Sequence, residues 1–321
     1  MFKLIRCFSQ KLCHAFSHRL AVLGRLNLIA LVTLGSTAFA DFKSGEAAFH
    51  RDDYQKAYEI WLPTANDGDA LSQTGIGALF HFGLGVPKDH NKAIQWYQLA
   101  AEQNQAEAQL MLAVLYAARM RYADAEILFM QALSAQKKTL GANDPEVAVT
   151  LEHLARLYYD QRRYDDAEPL FRQALSIWEK SLRPNQQEVA TNLNSLAKVY
   201  QKQRRYSDAE AFFKRVLEIN KKNLGADHPE VARNLNSLAM LYQDQGSYTD
   251  AEIFFTQALG INEKSFGPNH PDVAVNLYNL AAVYHTQGRY NDVEPTLKRA
   301  LDIWKKTLGL DHPRVASALN N

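Results

Sequence analysis

The segment Leu196-Ala197-Lys198-Val199-Tyr200, followed by Tyr206-Ser207-Asp208-Ala209-Glu210, decides the fold of this chain, because both of its halves recur at a fixed distance. The small residue of the second half returns every 42 residues, at positions 125, 167, 209, 251 and, as valine, 293. The first half keeps the same step and begins at positions 112, 154, 196, 238 and 280. Two markers in fixed phase over five copies indicate a repeat array.

The spacing inside one copy predicts a pair of antiparallel helices. Apolar residues three, four and seven positions apart share one face of an α-helix. The first segment shows this spacing at Leu193, Leu196, Ala197 and Tyr200. The second segment shows it at Tyr206, Ala209, Phe213 and Leu217. The polar residues 203–205 between them are predicted to form a tight turn, and the alanine lets the two helix axes approach closely.

A third marker, Gly-x-(Asp/Asn)-His-Pro, starts at Gly225, Gly267 and Gly309, with looser forms at Gly141 and Leu182. The glycine is suited to ending a helix, the Asp or His to capping the next one, and the proline to its first turn. His228, His270 and His312 recur one repeat apart, too far for a shared metal ion, so we interpret them as helix caps. The sequence predicts no metal site and no cofactor.

The three markers resemble the tetratricopeptide repeat in the 42-residue form of kinesin light chains, over residues 106–321. The resemblance implies an all-α, right-handed superhelical solenoid of antiparallel helix pairs, whose first helices line a concave face. Residues 70–105, with their glycine-rich turn at 83–85, resemble a Sel-one-like repeat. We predict that residues 41–105 combine an N-terminal cap with this repeat, and that the array ends in a partial copy.

The first forty residues predict export. They carry five basic and no acidic side chains, an apolar run at 26–34, and Ala38-Phe39-Ala40 before Asp41. This pattern is typical of a signal peptide cleaved after Ala40, and it indicates a periplasmic or secreted protein. A retained membrane anchor is the alternative. Both cysteines, Cys7 and Cys13, fall in this segment, so the mature chain would have no disulfide.

The concave face is the predicted binding site. In kinesin-light-chain-like repeats the matching positions line a peptide groove, and asparagine amides there can donate to and accept from a peptide backbone. The alternatives are asparagines merely tolerated in solvent, and a clamp for a C-terminal carboxylate formed by basic side chains of this face. The candidate residues are Arg156, Asn194, Ser195, Lys198, Arg233, Asn236, Ser237, Met240, Tyr278 and Asn279.

The sequence contains no phosphate-binding loop, no His-Glu-x-x-His and no Gly-x-Ser-x-Gly. Without its first forty residues the chain has 31 basic and 35 acidic residues. This charge balance gives no reason to expect nucleic acid as a partner. We therefore predict a non-catalytic scaffold that binds peptide or protein partners. The alternatives are an envelope or cell-wall-acting factor, either an enzyme or a glycan binder, and a secreted effector directed at a host cell. The partial last copy also suggests self-association through the C-terminal end.

Overall fold

The computed structural model describes residues 35–181 and 186–319, and these residues form helices joined by short turns, with no strand among them. The first 34 residues of the predicted signal sequence, with Cys7 and Cys13, lie outside the described residues. So do the looser linker marker at Leu182 and the last two residues, 320 and 321.

The chain divides into two compact units, one ending at Gln161 and the other beginning at Arg162. The prediction of an all-α fold built from helix pairs is confirmed in both. The helices of the first unit are α1 (Gly35–His50), α2 (Tyr54–Asn66), α3 (Ala70–Phe82), α4 (His90–Glu102), α5 (Ala106–Ala118), α6 (Tyr122–Leu140) and α7 (Pro145–Asp160). Those of the second are α8 (Tyr164–Lys180), α9 (Gln186–Lys202), α10 (Tyr206–Leu224), α11 (Pro229–Asp244), α12 (Tyr248–Phe266), α13 (Pro271–Thr286), α14 (Tyr290–Leu308) and α15 (Pro313–Leu319).

Trp61 organises the start of the first unit. Its indole nitrogen donates a hydrogen bond to the backbone carbonyl of Phe42 over 3.0 Å, and the two rings stack with centroids 5.7 Å apart. Gly75 on α3 makes room for the indole, since a Cβ there would lie 2.7 Å from a ring carbon of Trp61. Trp61 and Phe42 are both buried.

The close approach of the paired helices in the second unit depends on the alanine of the repeat. Ala167, Ala209 and Ala251 are fully buried. One turn further along α8, α10 and α12 comes a buried phenylalanine, Phe171, Phe213 or Phe255, whereas α14 has Val293 and Leu297 at the two positions. Truncating a buried phenylalanine to alanine costs about 3–5 kcal/mol, so this row supplies much of the cohesion of the array.

Consecutive copies are joined by a tyrosine and a glutamate. The Tyr200 hydroxyl donates to Glu168 Oε1 over 3.1 Å, and Tyr242 repeats the bond to Glu210 over 2.8 Å. Arg205 adds an ion pair to Glu168 at 2.8 Å and places its guanidinium 4.3 Å from the ring centre of Tyr200. The same tyrosine–glutamate bond occurs in the first unit. Each junction is therefore held by a partly buried carboxylate.

Partial burial of Glu168 opposes its ionisation, but hydrogen bonds from Arg172 and Tyr200 and the charge of Arg205 outweigh it, and its pKa is lowered. The folded chain thus keeps this carboxylate ionised at a pH where the unfolded chain protonates it. Its stabilisation is present above the unfolded value of about 4.5 and is lost as the pH falls through the lower folded value.

We expect the melting temperature to fall as the pH is lowered from 5 to 3, and Glu168→Gln to flatten part of this dependence. Thermal unfolding followed by circular dichroism across this range measures both. Glu218→Gln, at a side chain that is 73% exposed, is the matched control. A slope that is equal in all three proteins would contradict the assignment of a pH-sensitive junction to Glu168.

Candidate functional site

The exposed sides of the first helices α9, α11 and α13 form one surface, which we call the first-helix face. Two side-chain hydrogen bonds connect neighbouring helices along it. Gln201 Nε2 on α9 donates to Asp244 Oδ2 on α11 over 2.6 Å. Asn276 Nδ2 on α13 donates to Asn236 Oδ1 on α11 over 2.8 Å. The three helices therefore present their side chains side by side.

Most of the predicted groove residues of the second unit lie on the first-helix face. Met240 is 52% exposed, and Arg233 is likewise exposed. The half-buried members are Asn194, Lys198, Asn236, Ser237, Tyr278 and Asn279. The remaining candidate, Arg156, belongs to the first unit, where it is exposed on α7.

Ser195 was expected on this face, and that expectation is wrong. The side chain is only 7% exposed, and its hydroxyl donates to the backbone carbonyl of Thr191 over 3.1 Å. Val199, one turn further along the same side of α9, is fully buried. The buried side of this helix is therefore wider than the apolar face formed by Leu193, Leu196, Ala197 and Tyr200.

The repeat position occupied by Asn194 and Asn236 holds a different kind of residue on α13. One repeat step beyond Asn236 stands Tyr278, whose ring centre lies 5.5 Å from that of Trp304. Asn279 instead occupies the position equivalent to Ser237. The row along the first-helix face therefore runs Asn194, Asn236, Tyr278, and it changes from amide to aromatic.

A second asparagine row was missed from the sequence. Asn192, Asn234 and Asn276 stand one repeat apart and are 1%, 8% and 0% exposed. The last two accept hydrogen bonds of 2.7 Å from Asn220 and Asn262 on the preceding second helices. The 42-residue step is a visible signal for this row, but spacing within one helix does not show which polar residues face a neighbouring helix.

The exposed cation of α11 is paired with a carboxylate. Arg233 Nη1 lies 2.6 Å from Glu230 Oε1. In the first unit, burial and the nearby Arg156 lower the pKa of His153 to about 4, and its ring stacks on Phe129. His153 is therefore neutral at neutral pH and gives this region no additional charge.

The repeated histidines act as helix caps, as predicted. His228 Nδ1 accepts the backbone N–H of Glu230 over 3.1 Å, and His270 and His312 repeat the arrangement. Across residues 35–181 and 186–319, no group of three or more His, Cys, Asp or Glu side chains is placed to hold a metal ion. Within the same ranges, no helix is long and apolar enough to cross a bilayer.

Family models described as tetratricopeptide repeat match residues 104–180, 188–264 and 235–305, and a further model of that description matches residues 152–223. A Sel1 repeat model matches residues 70–105. The recognition of both repeat types from the sequence motifs is thereby confirmed. No curated protein matches the chain significantly.

Solved structures share the fold. A putative kinesin light chain from Podosopora anserina with nearly identical TPR-like repeats is 26% identical, covers 64% of this chain and 97% of its own, and has a TM-score of 0.57. BtubC (BKLC) from P. vanneervenii is 23% identical, with 87% and 94% coverage and a TM-score of 0.56. PilW, a widely conserved type IV pilus biogenesis factor, is 16% identical, with 78% and 98% coverage and a TM-score of 0.58.

Methionine oxidation tests whether the first-helix face is open in solution. We expect dilute peroxide to oxidise Met240 at a rate close to those of Met120 and Met130, which are 74% and 56% exposed, because its thioether is similarly accessible. Met111, only 7% exposed, is the protected reference. Peptide mass spectrometry over a time course gives the four rates. Protection of Met240 to the level of Met111 would mean that the face is covered.

Proposed function

The chain belongs to the tetratricopeptide repeat family, and we propose that it is an exported, non-catalytic scaffold that binds a peptide or protein segment along its first-helix face. The observation that carries the proposal is the row of accessible polar side chains on α9 and α11, one repeat step apart, on helices fixed by buried packing. Asn194 and Asn236 each bring an amide that can pair with a peptide backbone.

The rigidity of the supporting helices favours binding. The apolar sides of α9 and α11 are buried, with Leu196 and Leu238 fully enclosed. Side chains carried on such helices lose little further freedom when a ligand arrives, which lowers the entropic cost of association. An extended segment that crosses α9 and α11 would meet Asn194 and Asn236 in turn.

The composition of the face changes along the array, which argues for a ligand of mixed character. Lys198, Met240 and Ala282 succeed one another at the repeat step. Asn194, Asn236 and Tyr278 do the same. The face therefore passes from polar and basic at α9 to apolar and aromatic at α13. A segment with an apolar side chain toward α13 and polar groups toward α9 complements it.

A random-peptide library selected on the immobilised full chain tests this function. We expect captured peptides to bind Asn194→Ala and Asn236→Ala variants about fivefold more weakly each, since each substitution removes one hydrogen bond of about 1 kcal/mol. Fluorescence anisotropy measures the affinities. Asn223→Ala, at an exposed asparagine near the end of α10, is the matched control and should bind normally. Equal binding by all four proteins would contradict the proposed site.

The predicted cleavage after Ala40 is compatible with the packing around Trp61. Phe39 is 44% exposed and Ala40 is also exposed, whereas Phe42 is fully buried and bonded to Trp61. Cleavage after Ala40 would therefore retain Phe42 and its packing. Self-association through the C-terminal end stays a prediction, and light scattering on the purified chain tests it.

We expect the chain, expressed in a Gram-negative host, to appear in the periplasm or medium with Asp41 as its first residue. N-terminal sequencing of each fraction gives the result. An Ala40→Tyr variant should accumulate as the uncleaved precursor, because the peptidase requires a small residue there. An intact N-terminus in the membrane fraction would instead support the retained anchor.

A further inference from the structure

Three asparagine side chains of the second unit form a continuous chain of hydrogen bonds, which we call the amide relay. Asn262 Nδ2 on α12 donates to Asn276 Oδ1 on α13 over 2.7 Å. Asn276 Nδ2 in turn donates to Asn236 Oδ1 on α11 over 2.8 Å. Asn262 and Asn276 are 4% and 0% exposed, while Asn236 is half-buried on the first-helix face. The relay thus runs from the interior to the candidate binding surface.

With the amides oriented as the structure has them, the relay leaves the nitrogen of Asn236 for a ligand. An asparagine amide can rotate by half a turn and present either its oxygen or its nitrogen at nearly the same position. Here the oxygen of Asn236 is occupied by Asn276, whose own oxygen is occupied by Asn262. The Asn236 amide nitrogen makes no hydrogen bond within the described residues and is not among their buried unsatisfied atoms. Two N–H donors therefore remain for a partner.

We propose that the relay fixes Asn236 as a hydrogen-bond donor, so that the ligand places an acceptor oxygen there, either a backbone carbonyl or a carboxylate. Asn276 and Asn262 are then positioning residues, which act on the ligand through Asn236. This inference rests on the proposed peptide-binding function. Arg233, one helical turn before Asn236, uses Nη1 for its ion pair with Glu230, and its other guanidinium N–H groups are further donors on the same side of α11.

The preceding copy provides an internal comparison. Asn220 Nδ2 donates to Asn234 Oδ1 over 2.7 Å, as Asn262 does to Asn276. In the described structure, however, no hydrogen bond connects Asn234 to Asn194, so this series of hydrogen bonds ends in the interior. The Asn194 amide keeps its rotational freedom and can donate or accept. Substituting Asn234 therefore disrupts a comparable buried pair without changing a side chain of the first-helix face.

The first experiment needs no ligand. Side-chain amide signals of the ¹⁵N-labelled full chain are assigned by single Asn substitutions, and their exchange with water is measured. We expect the Asn276 amide protons, held on Asn236, to exchange at least about tenfold more slowly than those of Asn236, which face solvent. Asn236→Ala should accelerate the Asn276 exchange. Slow exchange of the Asn236 amide protons would overturn the relay. So would an exchange rate of the Asn276 amide protons that is unchanged in the Asn236→Ala variant.

The second experiment uses the library-selected peptides. We expect Asn276→Ala to weaken binding about fivefold and to have no further effect in an Asn236→Ala background, because it acts through that side chain. Asn234→Ala should stay within about twofold of the parent, although it removes a buried hydrogen bond of similar length. Additive losses from Asn276→Ala and Asn236→Ala, or an equal loss from Asn234→Ala, would overturn the positioning role.

Two peptide forms identify the source of the acceptor oxygen. Each selected peptide is measured with a free C-terminal carboxylate and as its C-terminal amide. If amidation weakens binding to the parent chain but not to the Asn236→Ala variant, the acceptor oxygen belongs to the terminal carboxylate. If amidation leaves binding to the parent chain unchanged, the oxygen belongs to a backbone carbonyl. If no peptide is captured while the exchange pattern is as expected, the relay stands and the proposed function fails.

Discussion

The close contact between the two helices of each copy is the constraint on which the rest of the structure depends. In four of the five copies it relies on an alanine at one position of the second helix, since Ala125, Ala167, Ala209 and Ala251 are all fully buried there, whereas the last copy has the half-buried Val293. A larger side chain would push the helices apart and strain the well-packed interior. With the pair closed at this point, the phenylalanine row is enclosed, and the outer side of the first helix becomes a fixed platform for other side chains.

The helices, their pairing and their caps could be predicted from the sequence, because each depends on spacing within a few turns of chain. The histidine caps, for instance, follow from His-Pro at the start of a helix. The burial of Ser195 and of the Asn192, Asn234 and Asn276 row could not, since it depends on neighbouring helices that periodicity within one helix does not reveal. The amide relay needed coordinates for the same reason: its bonds join side chains on three different helices.

The polar interior of the second unit has a different role from its apolar packing. Leucine and alanine contacts tolerate small rotations of one helix over another, whereas an asparagine pair at 2.7 Å requires one alignment. Buried amides can thus specify the relative rotation of adjacent copies at a modest cost in stability. The position of the Asn236 side chain on the first-helix face is constrained in the same way, because Asn236 also takes part in the buried hydrogen-bond network.

The tyrosine–glutamate bonds between copies also bear on how such a chain can change in length. Each bond joins residues 32 positions apart, less than one 42-residue period. Deleting the 42 residues 169–210 would leave Tyr242 at that same separation from Glu168, with matching residue types on both sides of the new junction. Duplicating a copy would preserve the bond in the same way. A change in length by a whole period therefore keeps each tyrosine in register with a glutamate, whereas a change of another length places them out of register.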